Sequence, residues 1–319
     1  MRKIAVLTSG GDSPGMNVAI RAVVREGIRL GCEVFGVYGG YEGLIEGRIK
    51  RLSERDVGGI IHRGGTMLQT SRSERFRTEE GRARAVRQLQ ASGIESVVVI
   101  GGNGSFEGAK KLEAEGVATV CIPGTIDNDM PGTEMTLGFD TAVNTVVEAA
   151  DRIRDTSFSH DRIGLIEVMG RNSGSIALWA GVACGAEYVI VPEIEFRIED
   201  LIRKLQASIR DGKRHSIILS AEGVGSGADI ASRIKAMAGY DVRTTVLGHL
   251  QRGGSPTAAD RVLGSRWGVE AVHLLTRGER GRLLGIVSNK IVAHRYDDPI
   301  RQENHNDVSL AAILQNLSI

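Results

Sequence analysis

Two short stretches of this chain carry residues fit for phosphate chemistry. PGTIDND (residues 123–129) sets two carboxylates, Asp127 and Asp129, either side of one asparagine. In an extended segment the side-chain period of two points both to the same side. Paired like charges then favour a division of roles, one acid serving as base while the other binds a metal or orients. GGNGS (residues 101–105) is a glycine loop. Gly101, Gly102 and Gly104 let backbone approach a phosphate, and Ser105 can donate to it or cap a helix. Phosphoryl transfer needs a carboxylate to take the acceptor hydroxyl's proton and a Mg²⁺ to bridge phosphates, and the two stretches together hold the makings of both. Taken singly, an Asx-rich turn and a ligand-free tight turn account for the same letters. Asn103 is neutral where a magnesium-binding loop is expected to carry a carboxylate.

Other strand-end loops point the same way. LTSGGDSPGMN (7–17) follows an apolar run and opens a helical pattern, so its N–H groups favour an anion, although Asp12 and Ser13 serve equally as a plain cap. No GxxxxGK[ST] occurs in the chain. MGRNSG (169–174) and HLQRGGSP (249–256) each set an arginine, Arg171 and Arg252, beside glycines, a pairing suited to a phosphate on a small substrate. His249 is placed to hydrogen-bond the same group, and Glu222, after an apolar run, suits sugar hydroxyls. GVGSGA (223–228) matches the dinucleotide fingerprint, but the acid that should end the next strand is missing: Asp241 precedes VRTTVLG. A nicotinamide site is therefore not expected. Arg21 and Arg25 share a helix face; with Arg154, Lys213 and Arg214 they form either a second anion site or solvated surface. RSERFR (72–77) and IHRGG (61–65) are arginine-rich loops.

The elements that must position these loops alternate. Expected strands are 3–9, 33–39, 96–102, 118–124, 162–170, 188–193, 215–223 and 242–248, with a late strand at 285–295. Expected helices are 16–30, 79–92, 106–115, 139–158, 173–183, 198–211, 228–238 and 258–277, with a terminal one from Val308. The alternation predicts an α/β fold of parallel sheets with helices on both faces, its ligands outside the strands' carboxyl ends. A domain boundary is expected near Gly138. Glycine, at 42 of 319 residues, is near twice its usual share of about 7%.

Composition narrows the classes. Apolar residues make up 41% and charged residues 25%, with a net charge of +1, so no global field attracts nucleic acid or an anionic membrane. Aromatic residues, at 4%, are too few for a base-stacking surface. Cys32, Cys121 and Cys184 have no metal-ligand spacing and suit a reducing, cytoplasmic setting. IAVL near the N-terminus is too short for a signal core, and no run reaches membrane-span length.

Taken in order, TSGGDSPGMN, GG-x-GS, PGTIDND, MGR, AEG and GH-x-QRGGSPTA-x-DR resemble the bacterial ATP-dependent 6-phosphofructokinases, from about Ile4 to the C-terminus. The resemblance implies two doubly wound parallel-sheet domains, a larger ATP-binding one (1–138 plus 251–305) and a smaller sugar-phosphate one (139–250 plus 306–319), with the active site in a cleft between them. It implies transfer of the γ-phosphoryl of ATP to the 1-hydroxyl of fructose 6-phosphate. Asp127 would be the base, with Thr125 and Arg171 stabilising the transferring group. Asp129 would support Mg²⁺ indirectly, and Asn103 would stand at the usual metal-ligand position. Gly11, Arg72, Ser73, Arg77, Gly102, Asn103, Gly104 and Ser105 would form the ATP site. Thr125, Ile126, Asp127, Met169, Gly170, Arg171, Glu222, His249, Leu250, Gln251 and Arg252 would meet the sugar phosphate, with Arg162 and Arg243 reaching in from a neighbouring subunit of a homotetramer. An effector site for ADP or phosphoenolpyruvate would use Arg21, Arg25, Arg154, Gly185, Ala186, Glu187, Asp211, Lys213, Arg214 and His215. Glycines at 104 and 124, where pyrophosphate-dependent relatives carry an acid and a lysine, favour ATP.

The chain departs from that pattern at several places. Asn103 replaces an aspartate, and Ser73 stands where many relatives carry cysteine. Glu54 and Asp211 stand where basic residues are common, and Gly59 where an acid is common. Acids beside an anion site weaken it, so muted control is expected. Three other readings are weighed: a pyrophosphate-dependent enzyme, a kinase of the NAD kinase or diacylglycerol kinase type (which explains GGNGS but not MGR or QRGGSP), and a catalytically impaired nucleotide-binding regulatory homologue.

Overall fold

The computed structural model describes residues 2–298 and 308–317. In chain order the elements are β1 (Lys3–Ser9), α1 (Met16–Arg29), β2 (Glu33–Val37), α2 (Gly40–Ile45), β3 (Ile49–Leu52), α3 (Glu79–Ser92), β4 (Ser96–Gly101), α4 (Asn103–Ala114), β5 (Ala118–Pro123) and α5 (Phe139–Ser159). They continue as β6 (Ile163–Val168), α6 (Ser175–Cys184), β7 (Tyr188–Ile190), α7 (Ile198–Arg210), β8 (Ser216–Ala221), α8 (Gly227–Ala238), β9 (Val242–Val246), α9 (Ala258–Thr276), β10 (Arg282–Val287), β11 (Lys290–Arg295) and α10 (Val308–Leu317). The chain forms two compact units, Met1–Thr141 with Arg252–Glu303, and Ala142–Gln251 with Asn304–Ile319.

The first unit is built on a seven-stranded sheet ordered β11-β10-β5-β4-β1-β2-β3. Its β-branched strands are buried on both faces, as parallel strands covered by helices must be. Ile4, Val6, Val98 and Ile100 pack with Ile20 of α1 and Trp267 of α9. Their neighbours Ala5, Leu7, Val97 and Val99 pack on the opposite face with Leu44 of α2, Leu89 of α3 and Leu112 of α4. Parallel pairing fails only at the edges, where β3 and β11 run antiparallel. The expected single strand at 285–295 is a hairpin: Val287 pairs with Lys290 across Ser288–Asn289, both at positive φ (48° and 60°). Asparagine tolerates that region, and such two-residue turns match strand twist.

The second unit holds a four-stranded parallel sheet ordered β7-β8-β6-β9. Ile163, Leu165 and Ile218 of its strands pack against Leu201 and Leu205 of α7 and Ile230 and Ile234 of α8. The predicted strands fall where β1, β2 and β4–β9 form, running one to three residues too long at several ends. The short α2 and the polar β3 (IKRL) gave no periodic signal. α4 begins at Asn103, three residues before its expected start, because the glycine loop turns directly into helix.

One buried carboxylate fixes the segment just after the acidic loop. Asp260 of α9, 1% exposed, accepts from Gly138 N (2.8 Å), Thr141 N (2.9 Å) and Thr141 Oγ1 (2.5 Å). Burial pushes its carboxyl above the ordinary range, against the pull of these bonds. Asp260→Ala would strand three buried donors, each costing about 1–3 kcal/mol. A loss of roughly 3 kcal/mol or more in urea unfolding is expected, with Asp260→Asn milder because its amide oxygen still accepts.

Candidate active site

The order of the first sheet reverses between β1 and β4: from β1 the chain runs to β2 and β3 on one side, then places β4, β5 and β10 on the other. Ligands of doubly wound sheets sit outside the carboxyl ends at such a point. Two glycine loops lie there. Gly10–Gly15 follows β1 and Gly101–Gly102 ends β4, each leading straight into a helix. Neither α1 nor α4 has a side-chain N-cap or an acid in its first turn; Met16 N, Val18 N and Ser105 N are held by the carbonyls of Ser13, Gly15 and Gly102, but no side chain opposes the positive dipole ends, which favour an anion. By contrast α3, α8 and α9 are capped by Thr78, Ser226 and Thr257.

Within GGNGS the side chains divide. Ser105 is buried; its hydroxyl donates to Ser9 O (2.9 Å) and its carbonyl accepts from Tyr41 Oη (2.6 Å), so it ties the two glycine loops together. Asn103 is half-exposed and turns toward the next loop, Nδ2 donating to Asp129 O (3.4 Å). Space for a side chain is open at Gly104, where an added Cβ meets nothing within 4 Å. Gly124 differs: a Cβ there would press on Ile100 at 3.1 Å and Met16 at 3.2 Å. Gly124 thus serves close packing at the end of β5, with its N–H on Gly101 O (3.0 Å).

The GTIDND segment is not extended. Asn128, between the two acids, sits at φ +52° and donates through Nδ2 to Glu134 O (3.1 Å). The period-of-two argument for Asp127 and Asp129 therefore does not apply. The bend buries Asp127 (4% exposed) and leaves Asp129 partly open. Asp127 N donates to Thr125 Oγ1 (3.2 Å), and Thr125 O accepts from Thr136 Oγ1 (2.6 Å), so the loop is braced from within. Asn128 and Thr136 escaped the sequence reading, although an Asx-type turn was a legible signal for the first.

Around these loops, Arg252 lies over the β1 loop, Nη1 donating to Asp12 O (3.4 Å). Gly11 permits this, since a Cβ would come within 1.9 Å of that nitrogen. Arg252 Nε is buried without a hydrogen-bond partner. Thr70 Oγ1 donates to Gly10 O (2.8 Å), bringing the 70s loop alongside. There Arg72 and Arg77 are exposed, and Ser73 Oγ donates to Glu42 Oε2 (2.5 Å).

In the second unit, MGR follows β6, Glu222 follows β8 and His249–Gln251 follows β9, all at carboxyl ends of parallel strands. Leu250 is exposed and Gln251 fully buried. Arg162 and Arg243 meet on one carboxylate oxygen of Asp241, each at 3.2 Å. The GVGSGA match carries no free anion seat: at the start of α8, Gly227 N is already held by Glu167 Oε2 (2.8 Å) from β6. Of the second-anion set, Lys213 (2.8 Å) and Arg154 (3.6 Å) gather on buried Glu187, and Arg154 also donates to Cys184 O (2.6 Å) and Gly185 O (3.1 Å). Ala186 is buried beside them. Arg214 pairs with Asp161 (3.6 Å), His215 meets Phe158 edge-on, and Asp211 ends α7. Arg21 and Arg25 lie on α1 in the first unit, where burial and then Arg25's charge lower the pKa of Arg21.

Among the described residues no group of three or more His, Cys, Asp or Glu side chains could hold a metal alone. Asp129 with the Asn103 amide is a thin donor set. It fits Mg²⁺ arriving with a nucleotide, an ion commonly held by one or two carboxylates plus substrate phosphates.

Uncapped helix ends at a sheet switch point, with a buried acid one strand away, define a phosphate-handling α/β enzyme. The family model described as Phosphofructokinase matches residues 3–275. The chain is 55% identical to the ATP-dependent 6-phosphofructokinase of Halalkalibacterium halodurans and 54% identical to that of Natranaerobius thermophilus, over all of both chains in each case. The solved phosphofructokinase of Saccharomyces cerevisiae superposes with a TM-score of 0.89 at 37% identity, covering all of this chain and 47% of the yeast one. The chain spans about half the length of that yeast relative. This chain belongs to the phosphofructokinase family. No helix among the described residues is long and apolar enough to cross a membrane.

Proposed function

We infer that the protein transfers the γ-phosphoryl of ATP to the 1-hydroxyl of fructose 6-phosphate, giving ADP and fructose 1,6-bisphosphate. The observation that carries this is a buried acid, Asp127, at the end of β5, one strand from the uncapped N-terminus of α4 at the end of β4. Full-length identity to relatives named ATP-dependent 6-phosphofructokinase supports the donor and acceptor.

In the mechanism, the loops and helix ends after β1 and β4 cradle the nucleotide's phosphates, with Gly11, Gly102 and Gly104 giving close approach and Arg72 and Arg77 adding charge. Asp127 takes the proton from the 1-hydroxyl as that oxygen attacks the γ-phosphorus and the bond to the β-phosphate oxygen breaks. Thr125 and Arg171 offset the charge that spreads over the transferring group. Met169, Gly170, Glu222, His249 and Arg252 hold the sugar phosphate. Asp129 and Asn103 would hold Mg²⁺ or its waters, and the ion would supply positive charge against the phosphates. The assembly is a homotetramer in which Arg162 and Arg243 serve the site of a second copy, and the enzyme works in the cytoplasm. A coupled assay with fructose 6-phosphate, ATP and titrated Mg²⁺ tests this. Turnover with pyrophosphate instead of ATP overturns the donor assignment. Nucleotide binding without turnover makes the chain a regulatory homologue.

Control by ADP and phosphoenolpyruvate is weak on this reading. Glu187 already engages Lys213 and Arg154, and Glu54 and Asp211 add negative charge to the set. Phosphoenolpyruvate is expected to inhibit only at high concentration, along a shallow curve. Sharp sigmoidal inhibition at low concentration would overturn the assignment.

A further inference from the structure

We propose that Glu222, Gly223 and Gln251 form a clamp that sets the backbone of Met169–Gly170–Arg171 and so aims the Arg171 guanidinium; this rests on the reading of Arg171 as the group that stabilises the transferring phosphoryl. Three consecutive N–H groups of that turn are taken by two side chains. Met169 N donates to Gln251 Oε1 (3.2 Å), and Gly170 N and Arg171 N both donate to Glu222 Oε1 (3.2 and 2.8 Å). Gln251 is fully buried and its Nε2 donates to Gly248 O (3.1 Å), so its amide is engaged within the protein. Strand register explains why Glu222 arrives there: Val168 pairs with Ala221, which sets the next residues, Met169 and Glu222, opposite each other.

The turn needs such support. Gly170 sits at φ +138° and Arg171 at φ +53°, a region a side-chain-bearing residue keeps only where its surroundings over-determine it. Ser173 N closes the turn on Gly170 O (2.8 Å). Gly223 completes the clamp by what it lacks: a Cβ there would stand 2.2 Å from Arg171 O. One methyl group would thus push the arginine's carbonyl away by about 1 Å, and a displacement of that size can cost on the order of 10²-fold in rate.

The test is a cycle on the full-length protein with fructose 6-phosphate, ATP and Mg²⁺. Gly223→Ala is expected to lower kcat by roughly 10²-fold while the KM for ATP stays put. In an Arg171→Ala background the same substitution should have no further effect, because its target is gone. A Gly223→Ala loss of equal size in both backgrounds overturns the clamp. Arg171→Ala with unchanged kcat overturns the reading of Arg171 itself, a distinct result. Should Gly223→Ala fail to fold by circular dichroism, Glu222 supplies the second arm. Glu222→Gln keeps an oxygen for both N–H groups, so it should lose clearly less kcat than Glu222→Ala even though both raise the KM for fructose 6-phosphate. Equal kcat in those two variants overturns the proposal.

Discussion

Asp127→Asn is expected to lower kcat by about 10²- to 10⁴-fold, the usual worth of a positioned general base. The substitution keeps volume and leaves the Asp127 N–H bond to Thr125 Oγ1 (3.2 Å) in place, so the loop that carries it should hold its shape. What it removes is the ability to accept the hydroxyl proton as the oxygen attacks. The KM for ATP should change little if, as proposed, the nucleotide is held by the loops after β1 and β4. The reverse reaction should lose by a similar factor, because the carboxyl that takes the proton forward must return it in reverse. Steady-state rates in both directions, with thermal melting as a control for folding, decide the matter. A loss under about tenfold in either direction would remove Asp127 from the role of base.

The sheet strands were legible because their β-branched runs are buried on both faces, as Ile4–Leu7 and Val97–Ile100 are. Less was legible where a distant partner decides. GVGSGA has the letters of an anion site, but Glu167, contributed by β6, holds the Gly227 N–H there. No local window contains that carboxylate. Gly104 and Gly124 were read together as favouring ATP, yet a Cβ at Gly124 would press on Ile100 and Met16, whereas Gly104 opens onto space. The same letter in two loops has two physical causes, and only the neighbours tell them apart.

The acidic loop teaches the same lesson at shorter range. Alternation placed Asp127 and Asp129 on one side, yet Asn128 at φ +52° rotates the chain between them. Asparagine is among the few residues that adopt this conformation readily, and its side chain repays the bend by bonding Glu134 O (3.1 Å). The outcome is one buried acid and one partly open acid, a difference suited to separate roles. Likewise Glu222 and Gln251 were legible as polar residues at strand ends. Their grip on the Met169–Arg171 backbone depends on β6–β8 register and on the turn after β9, which spacing alone does not give.

Asn103→Asp is expected to lower the Mg²⁺ concentration for half-maximal rate by about tenfold and to raise kcat severalfold. Two unit charges 4 Å apart attract by about 4 kcal/mol at an effective dielectric of 20; a third of that is one decade in affinity, so solvent screening leaves ample margin. The amide now donates to Asp129 O (3.4 Å), a bond that joins the start of α4 to the acidic loop without any cation. A carboxylate cannot make it: two oxygens would face each other, beside the negative charge of Asp129. The variant should therefore melt lower than the native protein in EDTA and recover when Mg²⁺ and nucleotide are added, while the native protein should gain less from the same addition. The melting comparison reads the loop contact independently of catalysis. Mg²⁺ titration of initial rates reads the charge. If half-saturation and turnover both match the native protein, the neutral side chain at position 103 costs the enzyme nothing. If the EDTA melt is unchanged, the bond to Asp129 is not what joins the two loops.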